Sequence, residues 1–536
     1  MSQRTAPASL SRRDFLALGA ATAGVAGLAA LGLTGLTAPA VAVAADGSKT
    51  FTYAIAGDPG SNVNPVTTSD RFGLMTLKLL YNPLWAYRSD GIHYFLAESF
   101  DESDDHLTIT AHLRQGVTWS DGEPFTADDV VFTYETIAND ETADSYSTLN
   151  YGDQGKVEVK KVDDHTVEFT FPFLNADAPE MLAGIDGVWI FPKHVYEGVT
   201  DWENNDKNAN PVGTGAFTLE EYQAGSYLRF KAREDYFGGK PGVDEVVYQI
   251  ITNENTGMQA IQTGEVNAWI GTPAEVQQMS IEANGLTVTP YSEGRIAYFM
   301  FNVDNVPDER VRKAVLYSLD KKAIADAALL SSDYYDLPYT FLPVESEFFT
   351  TDGVEKYDRD VDKAKQLLQE AGQPNPSFTF TYSAGDSLQE TAAVMIQEQA
   401  AEAGITITPQ GMDSSALYAE YKKKENDLQI FLGGYIMGID PDTFATLFRS
   451  EGESNYMHYD YPDIDELFAQ GRQETDTAKR KDIYAQVQAK IQDTGAFYPL
   501  YSNKRLLVTT KNVGGIDDAK LIPIYTFEEI NKLTVE

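Results

Sequence analysis

The sequence predicts an α/β fold, on three observations. Stretches with the period-2 alternation of half-buried strands recur between stretches with helical period. Strand, helix and second strand follow one another at parallel-pairing distance around residues 245–270 and again around 378–432. No repeat of 20 to 50 residues, no low-complexity tract and no obvious linker divides the chain, so its domains are expected to be intimately joined.

Taken in order, Phe51–Ile55 alternates as a short strand, Gly57-Asp58-Pro59-Gly60 turns the chain, and Phe72–Leu80 is an apolar helical stretch. Leu107, Ile109, Ala111 and Leu113 alternate with polar residues as the next strand, which puts His112 on the polar face. Ser120-Asp121-Gly122 is a turn, and Thr126 with Asp129 three positions on forms a capping box that opens a helix through Val130, Val131 and Phe132. Val167, Phe169 and Phe171 alternate again. Glu245–Ile251, a helix near Gly257–Thr263 and Ala268–Ile270 read as a β-α-β unit. Arg295–Val303 is a strand, followed by a helix carrying Val311, Ala314 and Val315. Ala364, Leu367, Leu368 and Ala371 repeat at i, i+3, i+4 and i+7 until Gly372 and Pro374 stop the helix. Phe378–Tyr382, a helix ending at Gly404, Ile405–Ile407 and Leu428–Leu432 continue the alternation, and Asp463–Ile491 is mainly helical.

Composition narrows the function. The 536 residues are 43% hydrophobic and 23% charged, enough to bury the cores of two to four domains without staples, and there is no cysteine to make any. Asp and Glu number 81 against 41 Lys and Arg, a net charge of −40. That sign opposes binding to nucleic acid or to an anionic membrane.

The N-terminus assigns a compartment. Ser11-Arg12-Arg13-Asp14-Phe15-Leu16 opens a run free of charge from Phe15 to Ala45, which looks like a twin-arginine export signal. Ala40-Val41-Ala42 and Ala42-Val43-Ala44 suit cleavage, placing the mature start near Ala45 or Asp46 and leaving a mature charge of −42. Retention as an uncleaved anchor is the alternative, although Gly24, Gly27, Gly32, Gly35 and Pro39 make the run weakly hydrophobic. A lipid-modified cysteine is excluded.

The six histidines form no His-Glu-x-x-His pair or zinc-type cluster, and neither a Gly-x-Ser-x-Gly elbow nor a P-loop occurs. Gly213-Thr214-Gly215 is read as a tight turn, and Asp101-x-Ser103-x-Asp105 fails as a calcium loop because His106 and His112 stand at the Gly and Glu positions. Carboxylate pairs able to hydrolyse a glycoside arise by chance among so many acids and decide nothing.

Four segments carry a family resemblance. They are Leu96–Ser99 with Leu113-Arg114-Gln115-Gly116-Val117-Thr118-Trp119-Ser120-Asp121-Gly122 continuing to Phe132; Asn210–Phe217 with Asp235-Tyr236-Phe237; Phe299–Asn302 with Val311–Ala314 and Asp320-Lys321; and Gly433-Gly434-Tyr435 with Asp440-Pro441-Asp442 and Asn455-Tyr456. Together they resemble the extracytoplasmic solute-binding proteins, family 5, of peptide- and nickel-type ABC importers. The resemblance implies a two-lobed, type II periplasmic-binding-protein-like clamp with an additional domain. Its first lobe would comprise residues 46–95, 212–292 and 505–536, the extra domain 96–211 and the second lobe 293–504. It implies no catalysis and no cofactor or metal, but a monomer that captures a peptide in the cleft, closes, and is read by the permease subunits of an ABC transporter.

Trp119, Asp121 and Gly122 are expected to be a structural turn. Tyr435, Met437 and Asp440 lie on a loop leaving a strand of the second lobe and are candidate ligand contacts. So are Arg71, Phe72 and Trp269, with surface charge and core packing as the alternative reading. The family's dipeptide binders place an aspartate where Met437 stands and an arginine where Ser383-Ala384-Gly385-Asp386 stand. A terminus-clamped dipeptide is therefore disfavoured, and a longer peptide held through its backbone, or an uncharged ligand stacked on aromatic rings, fits better. A secreted carboxylate-pair hydrolase and a non-transporting sensor of the same fold are the competing hypotheses.

Overall fold

A computed structural model of the chain describes residues 48–60, 63–183, 188–436 and 438–536, with the side chain of Tyr435 excepted. The export signal and Met437 lie outside the described residues. Fourteen strands are used below: β1 (Thr50–Ile55), β2 (Ala97–Glu102), β3 (Thr108–Leu113), β4 (Glu158–Asp163), β5 (Thr166–Thr170), β6 (Phe217–Gln223), β7 (Tyr227–Ala232), β8 (Glu245–Ile250), β9 (Ala268–Gly271), β10 (Leu286–Phe301), β11 (Ser377–Ser383), β12 (Thr406–Met412), β13 (Ile430–Ile436) and β14 (Phe497–Thr510).

Ten of them form one mixed sheet in the order β12-β11-β13-β10-β14-β9-β1-β8-β7-β6. One half is parallel through β12, β11 and β13, and the other through β9, β1 and β8. The expected β-α-β unit exists, with one correction: β8 and β9 both run parallel to β1, which lies between them. A helix about 10 Å across, here Glu254–Thr263, covers roughly two strand spacings, so a third strand fits under the crossover.

The halves are joined by two long antiparallel strands, β10 and β14. Leu286–Ser292 pairs with Lys504–Thr510 and Ile296 onward pairs with residues up to Ser502, and the register shifts between Ser292 and Ile296. Gly294 sits in that bulge at φ 68°, a backbone conformation that costs glycine nothing. The sequence reading began this strand nine residues late, at Arg295, and placed no strand at β14.

β2, β3, β5 and β4 form a separate four-stranded sheet in that order. Ile109, Ala111, Leu113, Val167 and Phe169 are buried, as their alternation requires. The helix Ala127–Asn139 begins with the expected capping box of Thr126 and Asp129. Trp119 is fully buried, donating to Asp129 at 3.4 Å, and Asp121 accepts from or pairs with His194 at 2.8 Å, so the turn at 119–122 is structural. The Gly213–Gly215 loop presses on the end of the helix Arg71–Leu80. Gly215 donates to the Leu80 carbonyl at 2.8 Å, and a β-carbon on Gly213 would stand 1.8 Å from the same oxygen. Lys49–Glu536 form one compact unit, and no described helix is long and apolar enough to cross a membrane.

Candidate functional site

A cavity of about 390 Å³ opens where the halves of the main sheet meet. Its walls come from distant stretches: Tyr87–His93, the bulge at Ser292 and Gly294, Pro343 and Glu345, the end of β13 at Ile436 with Gly438 and Ile439, and Lys520–Tyr525. Ile, Leu, Pro and Tyr supply most of the apolar wall, and Arg88, Asp90, His93, Glu180, Glu345 and Lys520 stand among them, which suits a ligand held by burial and oriented by polar contacts. The 520–526 wall is locally strained. Lys520, Ile524 and Thr526 have φ of 50°, 64° and 72°, and a β-branched residue in this region is unfavourable unless its surroundings enforce it.

Tyr87, Glu180 and Ile439 also face a smaller chamber of about 150 Å³, lined by Asp177, Asp440 and Arg480. Arg480, on the helix Thr477–Asp493, forks onto Asp440 at 2.7 and 3.0 Å and also binds Asp177, which stands just before the helix Ala178–Ala183. Arg472 pairs with Asp442 at 2.7 Å, and its carbonyl accepts from the Ala176 N–H at 2.9 Å. These contacts fasten residues 175–180 onto the 440–480 region across the mouth of the chamber. Burial, and then the neighbouring Asp440, push the Asp177 carboxyl well above its ordinary range. Burial, followed by the nearby carboxylates, pushes the Tyr87 hydroxyl up to about 12.

The model for bacterial extracellular solute-binding proteins, family 5 Middle, matches residues 91–456. The chain belongs to this family. The dipeptide-binding protein of Escherichia coli is 30% identical over 482 residues, 83% of this chain and 88% of that protein. The substrate-binding protein CtaP of Listeria monocytogenes superimposes with a TM-score of 0.86 at 34% identity, covering 91% and 99% of the two chains. The oligopeptide-binding protein AppA of Bacillus subtilis, solved with a nonapeptide, superimposes with a TM-score of 0.73 at 25% identity, covering 91% and 99%. The fold of this solute-binding protein is that of the periplasmic binding proteins.

Within that fold the sequence-derived candidates divide. Asp440 does line the small chamber, but Arg480 and the Asp442 N–H occupy its oxygens. Tyr435 pairs through its backbone with Ile296 at the bulge. Arg71 lines neither cavity. It binds Glu293 at 3.2 Å, beside Arg505 at 2.9 Å and the Asn503 amide at 2.7 Å, so it belongs to the joint between the sheet halves. Phe72 covers Gly57, where a β-carbon would collide with its ring. Trp269 stands where the core alternative puts it: it is 6% exposed and packs against Gly257 and Gly271 on the helix-covered side. An indole this large fills the space those glycines leave.

The residues that the sequence reading missed are Tyr87–His93, Glu180 and Lys520–Tyr525. The only local signal was the apolar run Leu521-Ile522-Pro523-Ile524-Tyr525 in an otherwise polar tail. Among the described residues no group of three His, Asp or Glu side chains is placed to hold a metal.

Glu293 supplies a test of the joint. Burial opposes its charge, but Arg505 and Arg71 outweigh burial and hold its carboxyl below the ordinary range. Glu293→Gln is expected to lower stability by about 2 kcal/mol at pH 7, since both arginines keep some solvent contact. A depressed folded pKa gives stability that is present above the unfolded value and lost as pH falls through the folded one. The gap between wild type and variant in urea melts is thus expected to shrink below roughly pH 4.

Proposed function

We propose that this chain captures oligopeptides in the cleft between the sheet halves and delivers them to the permease of an ABC importer. The observation that carries the reading is the 390 Å³ apolar cavity walled by both halves. The peptide complexes and names of its relatives support it: a nonapeptide lies in AppA, and the Escherichia coli relative is a dipeptide-binding protein. Among the described residues Arg480 and Arg472 are engaged by aspartates, which fits backbone recognition of a longer peptide better than a dipeptide clamp.

The lobes are taken as residues 46–95, 212–292 and 505–536 for the first and 293–504 for the second, with 96–211 as the added domain. The register shift between Ser292 and Ile296 supports that boundary as the hinge. Ligand closes the hinge and the permease reads the closed monomer, with no bond made or broken. Export follows the twin-arginine route from the Arg12-Arg13 motif, with release near Ala45 and no lipid anchor.

Mass spectrometry of small molecules released on denaturing the purified chain from Asp46 onward tests the assignment. Peptides of mixed sequence are expected, each adding about 2.7 kcal/mol of stability at 100 Kd and so raising the melting temperature when added back. A single non-peptide compound would overturn the peptide assignment while leaving solute capture intact.

A further inference from the structure

We propose that Glu180 anchors a cationic group of the captured ligand, an ammonium or a guanidinium. The proposal rests on the reading of the cleft as a peptide site and names the charge that the peptide carries there.

Glu180 lies in the short helix Ala178–Ala183 and lines the 390 Å³ cavity, the 150 Å³ chamber and a neighbouring one of about 400 Å³. It is only 9% exposed, and among the described residues it makes no hydrogen bond or ion pair. Its Oε1 stands 3.5 Å from where a β-carbon on Gly438 would be, so the carboxyl points at the open loop after β13.

The cations that act on it most strongly, Arg480 and Arg88, are already taken, whereas Arg449, across the neighbouring chamber, pairs with no acid among the described residues. Arg480 is held by Asp440 and Asp177. Arg472 is held by Asp442, which also accepts from Tyr484 at 3.2 Å. Arg88 and Lys78 share Glu528, and Lys520 binds Asp90 at 2.9 Å. Three aspartates engage Arg480 and Arg472 and leave Glu180, which lines the cavities of both, without a partner among the described residues. An unpaired buried carboxylate is costly, so such a group is protonated or awaits a cation. Burial, with Asp440 and Asp442 next, does push its pKa well above the ordinary range. A ligand cation would remove that penalty, and the adjoining Tyr87 ring offers a face for it. The cation can come from a basic side chain or from the amino terminus of the peptide, and the chemistry at Glu180 is the same.

The test is calorimetric titration of the full chain, wild type and Glu180→Gln, with alanine-based peptides of four to nine residues. Each carries one central lysine or norleucine, and each is made with a free or an acetylated amino terminus. Wild type is expected to lose at least about tenfold in affinity on one of these two neutralisations, lysine to norleucine or acetylation. Which of them costs affinity identifies the source of the cation. In Glu180→Gln, which keeps the shape and removes the charge, that ratio is expected to fall to near one. Peptides that bind wild type equally with and without the cation overturn the role of Glu180 and leave peptide capture standing. The same follows if the preference survives in Glu180→Gln. Failure of every peptide to bind overturns peptide capture, and this proposal with it. Wild-type ratios near one overturn the role of Glu180 even if the variant does not fold.

Discussion

Replacing Glu528 with glutamine is expected to cost this protein about 3–5 kcal/mol of stability, among the largest effects of any single conservative change. Its carboxylate is 3% exposed as a residue and receives Lys78 Nζ at 2.8 Å and Arg88 Nε at 2.5 Å. Burial alone would raise its pKa, but Lys78 and then Arg88 outweigh it and the carboxyl is held far below the ordinary range. Burial in turn lowers the pKa of Lys78. The amide keeps hydrogen bonds but strands two cations in a low-dielectric site. The cost is also local to function, because Arg88 lines the cavity. Glu528 stabilises fully above the unfolded carboxyl pKa, and that stability is lost as pH falls through its depressed folded value. Urea melts are expected to show a wide gap at pH 7 that narrows steadily below about pH 4. An unchanged midpoint at pH 7 would contradict the assignment.

Arg480→Met is the second large effect, expected to cost about 3–5 kcal/mol at pH 7. It leaves Asp177 and Asp440 facing each other in a buried chamber, Asp177 already carrying one oxygen without a partner. The sign of the pH response is opposite to that of Glu528. A carboxyl whose folded pKa is raised binds its proton more tightly when folded, so stability rises as pH falls from the folded value toward the unfolded one. The Arg480→Met variant is therefore expected to recover toward wild type as the medium is acidified from pH 7. Adding Asp440→Asn and Asp177→Asn should restore part of the loss at pH 7, the non-additivity measuring the coupling. A variant that loses the same stability at every pH would show that packing, not charge, sets the cost.

Local chemistry was legible in the sequence. The capping box at Thr126 and Asp129, the alternation of β3 and the helix stopped at Gly372 follow from a few neighbouring residues, and each stands where it was expected. β10 was harder, because Pro290 and Gly294 interrupt the apolar run of a strand whose bulge must turn. β14 follows a long helix directly, and its apolar residues serve both halves of the sheet rather than one alternating face. The family motifs located the loop of Asp440, but no local pattern announces that Arg480 fills it from forty residues away. Glu180 is the sharper case. Its neighbours in sequence give it no distinction, and only the topology that carries the helix Ala178–Ala183 against Gly438 leaves it buried and unpaired.

Hydrogen exchange read by mass spectrometry, with and without a saturating peptide recovered from the protein, tests capture in the cleft most directly. Protection is expected in Tyr87–His93, at Ile436, Gly438 and Ile439, and in Lys520–Tyr525, which wall the 390 Å³ cavity, with a smaller change at the Ser292–Ile296 bulge where the halves turn. Protection confined to another surface, with these four segments unchanged at saturation, would contradict it.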